Sequence, residues 1–227
     1  LRRLLDRVDR SMSTWREDSE VSRFNVSEST DWFSVSAETA FVLVRALQIS
    51  SSTDGAFDVT VSPLVDLWGF GSDGGQPVPT PGQLEAAREL VGWNKLEVRA
   101  EPPAIRKTVA GVTINLSAIA KGYAVDLLGE HLESLSVAGY LVEIGGETRV
   151  KGQRPDGTAW RIGVEQPLAG QRQVRSVLLL SGPPRGIATS GDYRNRRAVG
   201  GKVVSHTLDP RTGRPVSHDL AAVTVVA

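Results

Sequence analysis

The stretch that decides the fold class covers residues 118–152 and reads AIAKGYAVDLLGEHLESLSVAGYLVEIGGETRVKG. Its first half predicts a helix from about Ala118 to about Leu135, because apolar residues recur there at helical spacing. Its second half predicts two strands, at residues 141–144 and 148–152. Because extended segments continue on both sides of this stretch with only a few covering helices, the sequence favours an α+β sandwich over a doubly wound sheet.

Three further helices are predicted from stripes and caps. One opens the chain, one follows an N-cap at Ser36, and one follows a capping box formed by Thr80 and Gln83. Their predicted apolar stripes are Leu1, Leu4, Leu5, Val8 and Met12; Phe41, Val44 and Leu47; and Leu84, Ala87 and Leu90. Further strands are predicted at residues 95–99, 105–109, 112–116, 160–165, 177–181, 202–208 and 222–227, and a surface loop at 71–81.

Length and composition narrow the class of protein. The chain has 227 residues, of which 40% are hydrophobic, which suits one domain or two closely joined lobes. Lys plus Arg and Asp plus Glu each total 26, so the charge balance gives no indication of nucleic acid or an anionic membrane as a partner. The absence of cysteine excludes disulfides, thiolate metal sites and cysteine nucleophiles. The apolar runs of the sequence are too short to span a bilayer.

Two segments near the start combine polar residues with an aromatic. Trp15 follows the first predicted helix and could stack on a heterocycle, although taken alone it is better explained as a partly buried packing residue. In the second segment, residues 54–64, alternation places Phe57 on one strand face and Asp58 with Thr60 on the other. That polar pair lines a pocket or belongs to an ordinary half-buried strand, and both interpretations stay open.

Residues 114–123 predict a strand that passes through a turn of small residues into a helix. The free backbone N–H groups of a helix N-terminus favour an anion, and Lys121 adds a positive charge nearby. The pattern lacks the glycines of the known phosphate-binding loops. A phosphate is nevertheless the expected ligand, while the alternative is that Lys121 is simply solvated.

His206 is expected at the end of a strand that leads into a tight turn, which Asp209-Pro210 and Thr212-Gly213 specify. A histidine held in this way can act as a general base near neutral pH, or it can be a hydrogen-bonded structural residue. His131 and His218 lie in polar surroundings and are interpreted as surface groups.

Together these segments resemble the ApbE family of FAD:protein FMN transferases, in order and over essentially the whole chain. The resemblance implies one magnesium-dependent domain over residues 1–227, with a T-fold-like core of mainly antiparallel sheet. It also implies that FMN passes from FAD to a Thr or Ser hydroxyl in an Asp-x-x-Thr/Ser-Gly-Ala-Thr type of target on an acceptor protein, and that AMP is released. The motifs are Met12-Ser-Thr-Trp-Arg-Glu-Asp-Ser-Glu-Val-Ser-Arg-Phe-Asn25, Gly55-Ala-Phe-Asp-Val-Thr-Val61, Leu67-Trp-Gly-Phe-Gly71, Ala120-Lys-Gly-Tyr-Ala-Val-Asp126, Gly145-Gly-Glu147, Ser190-Gly-Asp-Tyr193 and His206-Thr-Leu-Asp-Pro-Arg-Thr-Gly213.

The resemblance also implies roles for individual residues. His206 matches the histidine that activates the acceptor hydroxyl, and the backbone carbonyl of Ala118 matches a metal ligand. Trp15 matches an aromatic beside the flavin. The remaining FAD-binding positions are Ala56, Phe57, Asp58, Asn115, Lys121 and Thr207 or Leu208.

The chain departs from the family pattern in two ways. Asn115 stands where many relatives carry Asp, and the family's remaining metal ligands lie beyond the strand that matches residues 223–227. The domain is therefore expected to lack its N-terminal strand and its C-terminal metal-binding segment. Relatives often work outside the cytoplasm as lipid-anchored proteins, but no such signal is present, which leaves a cytoplasmic location open.

Three other functions remain as alternatives. An FAD pyrophosphatase would release FMN and AMP, and a catalytically silent module would bind FAD without cleaving it. A serine hydrolase built on Ser117 and Lys121 is the most distant alternative, because its Ser-x-x-Lys spacing is absent.

Overall fold

The computed structural model describes residues 1–71, 77–168, 170, 173–193, 196–199 and 202–227. These residues form two compact units. The helical unit comprises Asp6–Ala120 and Arg197–Ser217, and the sheet unit comprises Leu1–Leu5, Lys121–Arg196 and His218–Ala227.

Helices and strands alternate along the chain, with most helices in the first half. The helices are α1 Arg2–Met12, α2 Glu20–Val26, α3 Ala37–Ser52, α4 Ser62–Leu67, α5 Pro81–Glu89 and α6 Ala120–Ser134, with a short 3₁₀ helix at Trp93–Lys95. The strands are β1 Phe33–Ser34, β2 Leu96–Ala100, β3 Pro103–Lys107, β4 Tyr140–Ile144, β5 Glu147–Lys151, β6 Trp160–Glu165, β7 Val174–Leu180, β8 Arg185–Gly191, β9 Arg196–Val199, β10 Lys202–Ser205, β11 Leu208–Asp209, β12 Arg214–Pro215 and β13 Ala222–Val226.

The helical unit is built around a three-stranded antiparallel sheet in the order β1-β3-β2. Helix α3 packs against β2 and β3. It begins at the predicted N-cap, where the Ser36 hydroxyl accepts a hydrogen bond from the Thr39 amide. The largest fully buried side chains of this unit come from both helices and strands: Phe24, Lys107, Leu43, Leu64, Ile105, Ile114, Leu116, Val21, Val42, Val59 and Val112.

A second apolar cluster of the helical unit joins α4 and α5 to the turn after β10. The capping box predicted at Thr80 and Gln83 is present at the start of α5. The indole Nε1 of Trp68 donates to the Gly213 carbonyl at 2.8 Å, which ties α4 to the turn between β11 and β12. The buried members of the cluster are Leu64, Trp68, Leu84, Val91 and Leu208.

The sheet unit contains a four-stranded antiparallel sheet in the order β13-β8-β5-β4 and a β6–β7 hairpin. Helix α6 lies against this sheet, since a Cβ added at Gly129 would come within 2.6 Å of the Arg149 side chain on β5. The Arg149 guanidinium pairs with Asp126 and Glu133 of the same helix, at 2.7 and 3.1 Å. Close approach at Gly129 and ion pairs beside it therefore hold α6 to β5.

The predicted α+β class with mainly antiparallel sheet is confirmed, but several details of the sequence interpretation were wrong. Residues 57–61 form a turn before α4 rather than a strand, and residues 112–116 are extended but lie outside every sheet. In the apolar stripe predicted for α3, Phe41 is 52% exposed, because residues 39, 42, 43 and 46 face the core instead. Helix α6 covers Ala120–Ser134, close to the predicted bounds, and Leu135 at its predicted end is exposed.

One predicted loop is described only in part, and one strand of the structure was not predicted. Of the loop predicted at residues 71–81, residues 72–76 lie outside the described residues, and Pro81 begins α5. Strand β8, at the centre of the four-stranded sheet, had not been predicted. In the described part of the chain, no helix combines the length and the apolar character that crossing a bilayer requires.

Candidate functional site

His206 lies directly after β10, as the sequence predicted, and precedes a short hairpin made by β11 and β12. The hairpin turn is closed by a hydrogen bond from the Gly213 amide to the Asp209 carbonyl at 2.8 Å. The Thr207 carbonyl also accepts from the Val216 amide at 2.9 Å. These bonds fix the backbone on the C-terminal side of His206.

The imidazole of His206 is half-buried, and its surroundings are apolar on one side. Its ring packs edge-on against Phe70, with centroids 6.4 Å apart and planes inclined at 67°. Its Nδ1 is shielded from solvent and has no hydrogen-bond partner among the described residues. Because a shielded polar atom without a partner costs about 1–3 kcal/mol, such an atom is uncommon in a purely structural histidine.

The Asp58 carboxylate is buried and accepts three hydrogen bonds within the helical unit. Its Oδ1 accepts from the Thr60 amide and hydroxyl at 2.8 and 2.7 Å, and its Oδ2 accepts from the Trp93 amide at 2.8 Å. The Thr60 hydroxyl in turn accepts from the Gly92 amide at 2.7 Å. Asp58 and Thr60 therefore hold two turns together and do not form the polar face of a strand.

The loop before Asp58 is more open to solvent. Ala56 is exposed and Phe57 is half-buried. Gly55 adopts a left-handed φ of 72°, and a Cβ built on it would lie 3.5 Å from Trp93 Nε1 and 3.8 Å from Arg211 Cγ. The loop that carries three predicted FAD-binding residues thus lies beside the turn that follows His206.

Residues 112–118 approach the same loop from another direction. The Asn115 amide donates to the Val59 carbonyl at 2.7 Å, so the extended segment touches the turn that contains Asp58. The Asn115 side-chain Oδ1 accepts from the Ser117 amide at 2.9 Å, which shapes the turn into α6. Ala118 is exposed in that turn.

Lys121 lies in the first turn of α6, as predicted, and its ammonium group is already ion-paired. Lys121 Nζ lies 2.7 and 2.9 Å from the two carboxylate oxygens of Glu147 and 3.3 Å from the Gly145 carbonyl oxygen. Lys121 is therefore ion-paired, while its side chain is 42% exposed to solvent. Lys121 belongs to the sheet unit, whereas the other nine predicted site residues belong to the helical unit.

Trp15, Thr207 and Leu208 differ in what they can offer a ligand. Trp15 is 85% exposed, which contradicts its interpretation as a partly buried packing residue and leaves an aromatic face open for stacking. Thr207 is exposed, and its amide donates to the Ser205 hydroxyl at 3.0 Å. Leu208 is 8% exposed within the second apolar cluster, so its side chain serves packing.

Sequence reasoning gave no role to several residues that shape these segments. Phe70 and Glu147 lie inside motifs that had been noted, but nothing in their spacing indicates that they contact His206 and Lys121. Trp93 lies outside every noted motif, and its contact with the Gly55 loop depends on folding. Of the two other histidines, His218 is exposed, whereas His131 on α6 is half-buried, as His206 is.

The donor groups required for a complete magnesium site are not assembled in the described residues. No group of three or more His, Cys, Asp or Glu residues that could hold a metal occurs among them. Asp192 is hydrogen-bonded by Arg196, at 2.9 and 3.2 Å, and Asp209 by Arg211, at 2.9 Å to each carboxylate oxygen. The hydrogen bonds from Arg211 hold the pKa of Asp209 below its ordinary value. Among the described residues, no such cluster therefore accompanies the Ala118 carbonyl, the predicted magnesium ligand.

Comparison with known proteins relates this arrangement to one family. The model of the ApbE family matches residues 1–227. The FAD:protein FMN transferase of Vibrio cholerae is 44% identical over 225 residues, which cover 99% of this chain and 66% of that protein. The corresponding protein of Salmonella typhimurium is 41% identical over 227 residues, which cover 98% of this chain and 64% of that protein.

Solved structures agree with the sequence relatives. The flavin transferase ApbE from Vibrio cholerae has a TM-score of 0.87 at 42% identity, covering 100% of this chain and 71% of that chain. The flavinyl transferase ApbE from Pseudomonas stutzeri, in its apo form, has a TM-score of 0.86 at 40% identity, covering 100% and 69%. The fold is therefore that of the solved flavin transferases.

The chain belongs to the ApbE family. It spans 66% and 64% of the lengths of the Vibrio and Salmonella relatives, which is less than two thirds of either.

Proposed function

We propose that the protein transfers FMN from FAD to a threonine or serine hydroxyl of an acceptor protein and releases AMP. Two observations support the proposal: the family match over residues 1–227, and His206 after β10, whose shielded Nδ1 has no hydrogen-bond partner among the described residues. The same match supports treating residues 1–227 as one flavin transferase domain composed of both units.

The proposed chemistry is a displacement at the phosphorus atom of the FMN half of FAD. The acceptor oxygen forms a bond to this phosphorus while the bridging P–O bond to the AMP half breaks, and AMP leaves. The proton of the acceptor hydroxyl passes to the His206 imidazole. Because a positioned general base contributes roughly 10² to 10⁴ in rate, loss of His206 should nearly abolish transfer.

FAD binding is proposed to use the residues whose groups remain accessible. Trp15 offers an exposed aromatic face for the flavin, and Ala56 is exposed at the loop next to Asp58. Lys121 and the N-terminus of α6 offer positive charge to the pyrophosphate. Glu147 already neutralises part of the Lys121 charge.

Magnesium dependence is part of the proposal on the strength of the family resemblance. A magnesium ion lowers the negative charge that a pyrophosphate presents to a nucleophile. The Ala118 carbonyl is its expected protein ligand, although the described residues do not complete a site. The steps proposed for His206 and the acceptor hydroxyl do not depend on the way the ion is held.

The experiment uses the protein with FAD, Mg²⁺ and an acceptor domain that carries an Asp-x-x-Thr/Ser-Gly-Ala-Thr target. Mass spectrometry of the acceptor should show one covalently bound FMN. The His206→Ala variant should still bind FAD but should label the acceptor at least about 10²-fold more slowly. His131→Ala is the matched control, because it removes another half-buried imidazole and should leave labelling unchanged.

Other outcomes would identify the remaining candidates. Free FMN and AMP without labelled acceptor would indicate an FAD pyrophosphatase, in which water replaces the acceptor hydroxyl. Bound FAD that stays intact with active acceptor present would indicate a silent binding module. Labelling that persists unchanged in His206→Ala would contradict the role assigned to this histidine.

A further inference from the structure

Residues 112–116 carry the predicted site residue Asn115 and belong to none of the sheets that the described residues form. Their side chains alternate, with Val112, Ile114 and Leu116 fully buried and the residues between them half-buried. Buried backbone N–H and C=O groups need hydrogen-bond partners, and a strand would normally find them in its neighbours. The partners of this segment must therefore come from elsewhere in the fold.

The side chain of Asn25 supplies two of these partners at a single residue. Its Nδ2 donates to the Ile114 carbonyl at 2.9 Å, and its Oδ1 accepts from the Ile114 amide at 2.8 Å. The carboxamide thus replaces the neighbouring strand at this point of the segment. Two bonds of opposite sense fix both the position and the rotation of the Ile114 peptide groups, which one bond would not do.

Asn25 is itself held firmly, because both ends of α2 are capped. The Ser19 hydroxyl accepts from the Ser22 amide at the N-terminus. At the C-terminus, the buried Lys107 ammonium donates to the carbonyls of Phe24 and Ser27, at 3.1 and 2.9 Å. Because the helix that carries Asn25 is short and capped at both ends, the Asn25 side chain can hold the segment it binds in one position.

The position of Ile114 determines where its neighbours lie. Asn115 follows directly and donates its amide to Val59, next to Asp58, and the turn with Ala118 follows at the start of α6. We infer that Asn25 is a positioning residue for FAD binding: it touches no ligand, but it holds the backbone that presents Asn115 and Ala118. This inference rests on the proposed function.

The test compares Asn25→Ala with a control of similar stability loss. Val42→Ala removes fully buried volume from α3 and leaves the Asn25–Ile114 bonds intact. Asn25→Ala should weaken FAD binding at least about tenfold, because a displacement of about 1 Å at a binding group costs up to about 10²-fold. Val42→Ala should keep the wild-type dissociation constant within about twofold at a matched decrease in Tm.

Hydrogen exchange gives a second readout that a general loss of stability would not produce. Under native conditions, exchange in the peptide covering residues 112–118 should rise in Asn25→Ala and stay at the wild-type level in Val42→Ala. Asn25→Asp keeps the shape and the acceptor for the Ile114 amide but loses the donor to its carbonyl. It should therefore also weaken FAD binding, and it serves if the alanine variant does not fold.

The outcomes separate the two proposals. Wild-type protein that binds no FAD overturns the proposed function and this inference with it. Wild-type protein that binds FAD, with Asn25→Ala and Asn25→Asp binding equally well, overturns this inference alone. Equal weakening in Asn25→Ala and Val42→Ala, at equal Tm, also overturns it, because Asn25 would then contribute stability and no positioning.

Discussion

Asp58 was predicted to bind FAD, but its carboxylate already accepts hydrogen bonds from other residues of the protein. Both carboxylate oxygens accept hydrogen bonds, from Thr60 and from the Trp93 amide. A buried carboxylate with three donors is strongly held, and its loss leaves those donors without partners. Asp58 is therefore expected to shape the loop proposed to bind FAD through the backbone, more than to contact the ligand with its own oxygens.

Asp58→Asn is expected to lower the free energy of unfolding by about 1–3 kcal/mol. The new amide group would point its N–H donors at the donors of either Thr60 or Trp93, and one side of the turn would lose its acceptor. Urea unfolding, with the midpoint and slope fitted separately, measures the change. Asp54→Asn is the control, since Asp54 is exposed with a positive φ of 50° that asparagine tolerates, and it should change stability by less than about 0.5 kcal/mol. Equal effects in the two variants would contradict this account of Asp58.

Trp15 makes a different kind of prediction, because its side chain is 85% exposed and contributes little to packing. If its indole stacks on the flavin, Trp15→Ala should raise the dissociation constant for FAD about two- to tenfold, corresponding to about 0.5–1.5 kcal/mol for an aromatic pair. Tm should stay unchanged. Trp15→Phe should recover most of the affinity, because it restores an aromatic face. Titration of FAD followed by its own fluorescence measures both, and an unchanged dissociation constant in Trp15→Ala would exclude stacking.

At the scale of elements, local signals predicted some helices well. The capping box of Thr80 and Gln83 placed the start of α5, and Ser36 placed the start of α3, because both caps are made within four residues of chain. The α3 stripe failed for Phe41, whose ring instead meets the Arg45 guanidinium at 5.5 Å. Caps depend on neighbouring residues, whereas the buried face of a helix depends on which element packs against it.

Strand β8 could not be predicted from its own residues. It reads Arg-Gly-Ile-Ala-Thr-Ser-Gly, and only Ile187 among them is a buried hydrophobic residue. Its place is fixed by hydrogen bonds to β5 on one side and β13 on the other. Strand propensity reflects such neighbours more than the residue itself, so a strand in the middle of a sheet can be rich in glycine and small polar residues.

The sequence could predict those features of the candidate site that depend only on neighbouring residues in the chain. His206 at the end of a strand and Lys121 at the start of a helix follow from turn and helix signals near them in sequence. The Asn25 contact with Ile114 joins residues 89 positions apart. The Phe70 contact with His206 also joins residues that are far apart in the sequence. Motif reasoning identified the residues, but it could not assign partners that only the folded chain brings together.

The molecule as a whole has equal numbers of acidic and basic residues, so its electrostatic interactions depend on local charge networks and not on net charge. A charge network of the sheet unit surrounds Glu133 of α6. Its carboxylate accepts from the Tyr140 hydroxyl at 2.6 Å, from the Lys151 ammonium at 3.0 Å and from the Arg149 guanidinium at 3.1 Å. These three partners lie on β4 and β5, so a single carboxylate joins the helix to two strands.

This network makes stability depend on acid pH in a direction that can be worked out. The hydrogen bond from Tyr140, followed by that from Lys151, lowers the pKa of Glu133 from 4.5 to about 2. A carboxyl group whose pKa is lower in the folded state stabilises the fold fully above its unfolded value, and loses that contribution as the pH falls towards the folded value. Glu133→Gln should therefore have a lower Tm than the wild type at pH 7. The difference should narrow as the pH falls below about 4.5 and vanish near pH 2.

Circular dichroism melts of both proteins from pH 7 to pH 2 measure this difference. Glu130→Gln is the matched control, because Glu130 is exposed on the same helix and its substitution changes the net charge equally. A Tm difference caused by net charge alone would appear in both variants and would change with pH in the same way. A difference confined to Glu133→Gln that stays constant down to pH 2 would place the stabilisation in packing rather than in the ionised carboxylate, and would contradict the assigned pKa. A difference that narrows between pH 4.5 and pH 2 in Glu133→Gln alone shows that the ionised Glu133 carboxylate stabilises the helix–sheet contact of the sheet unit.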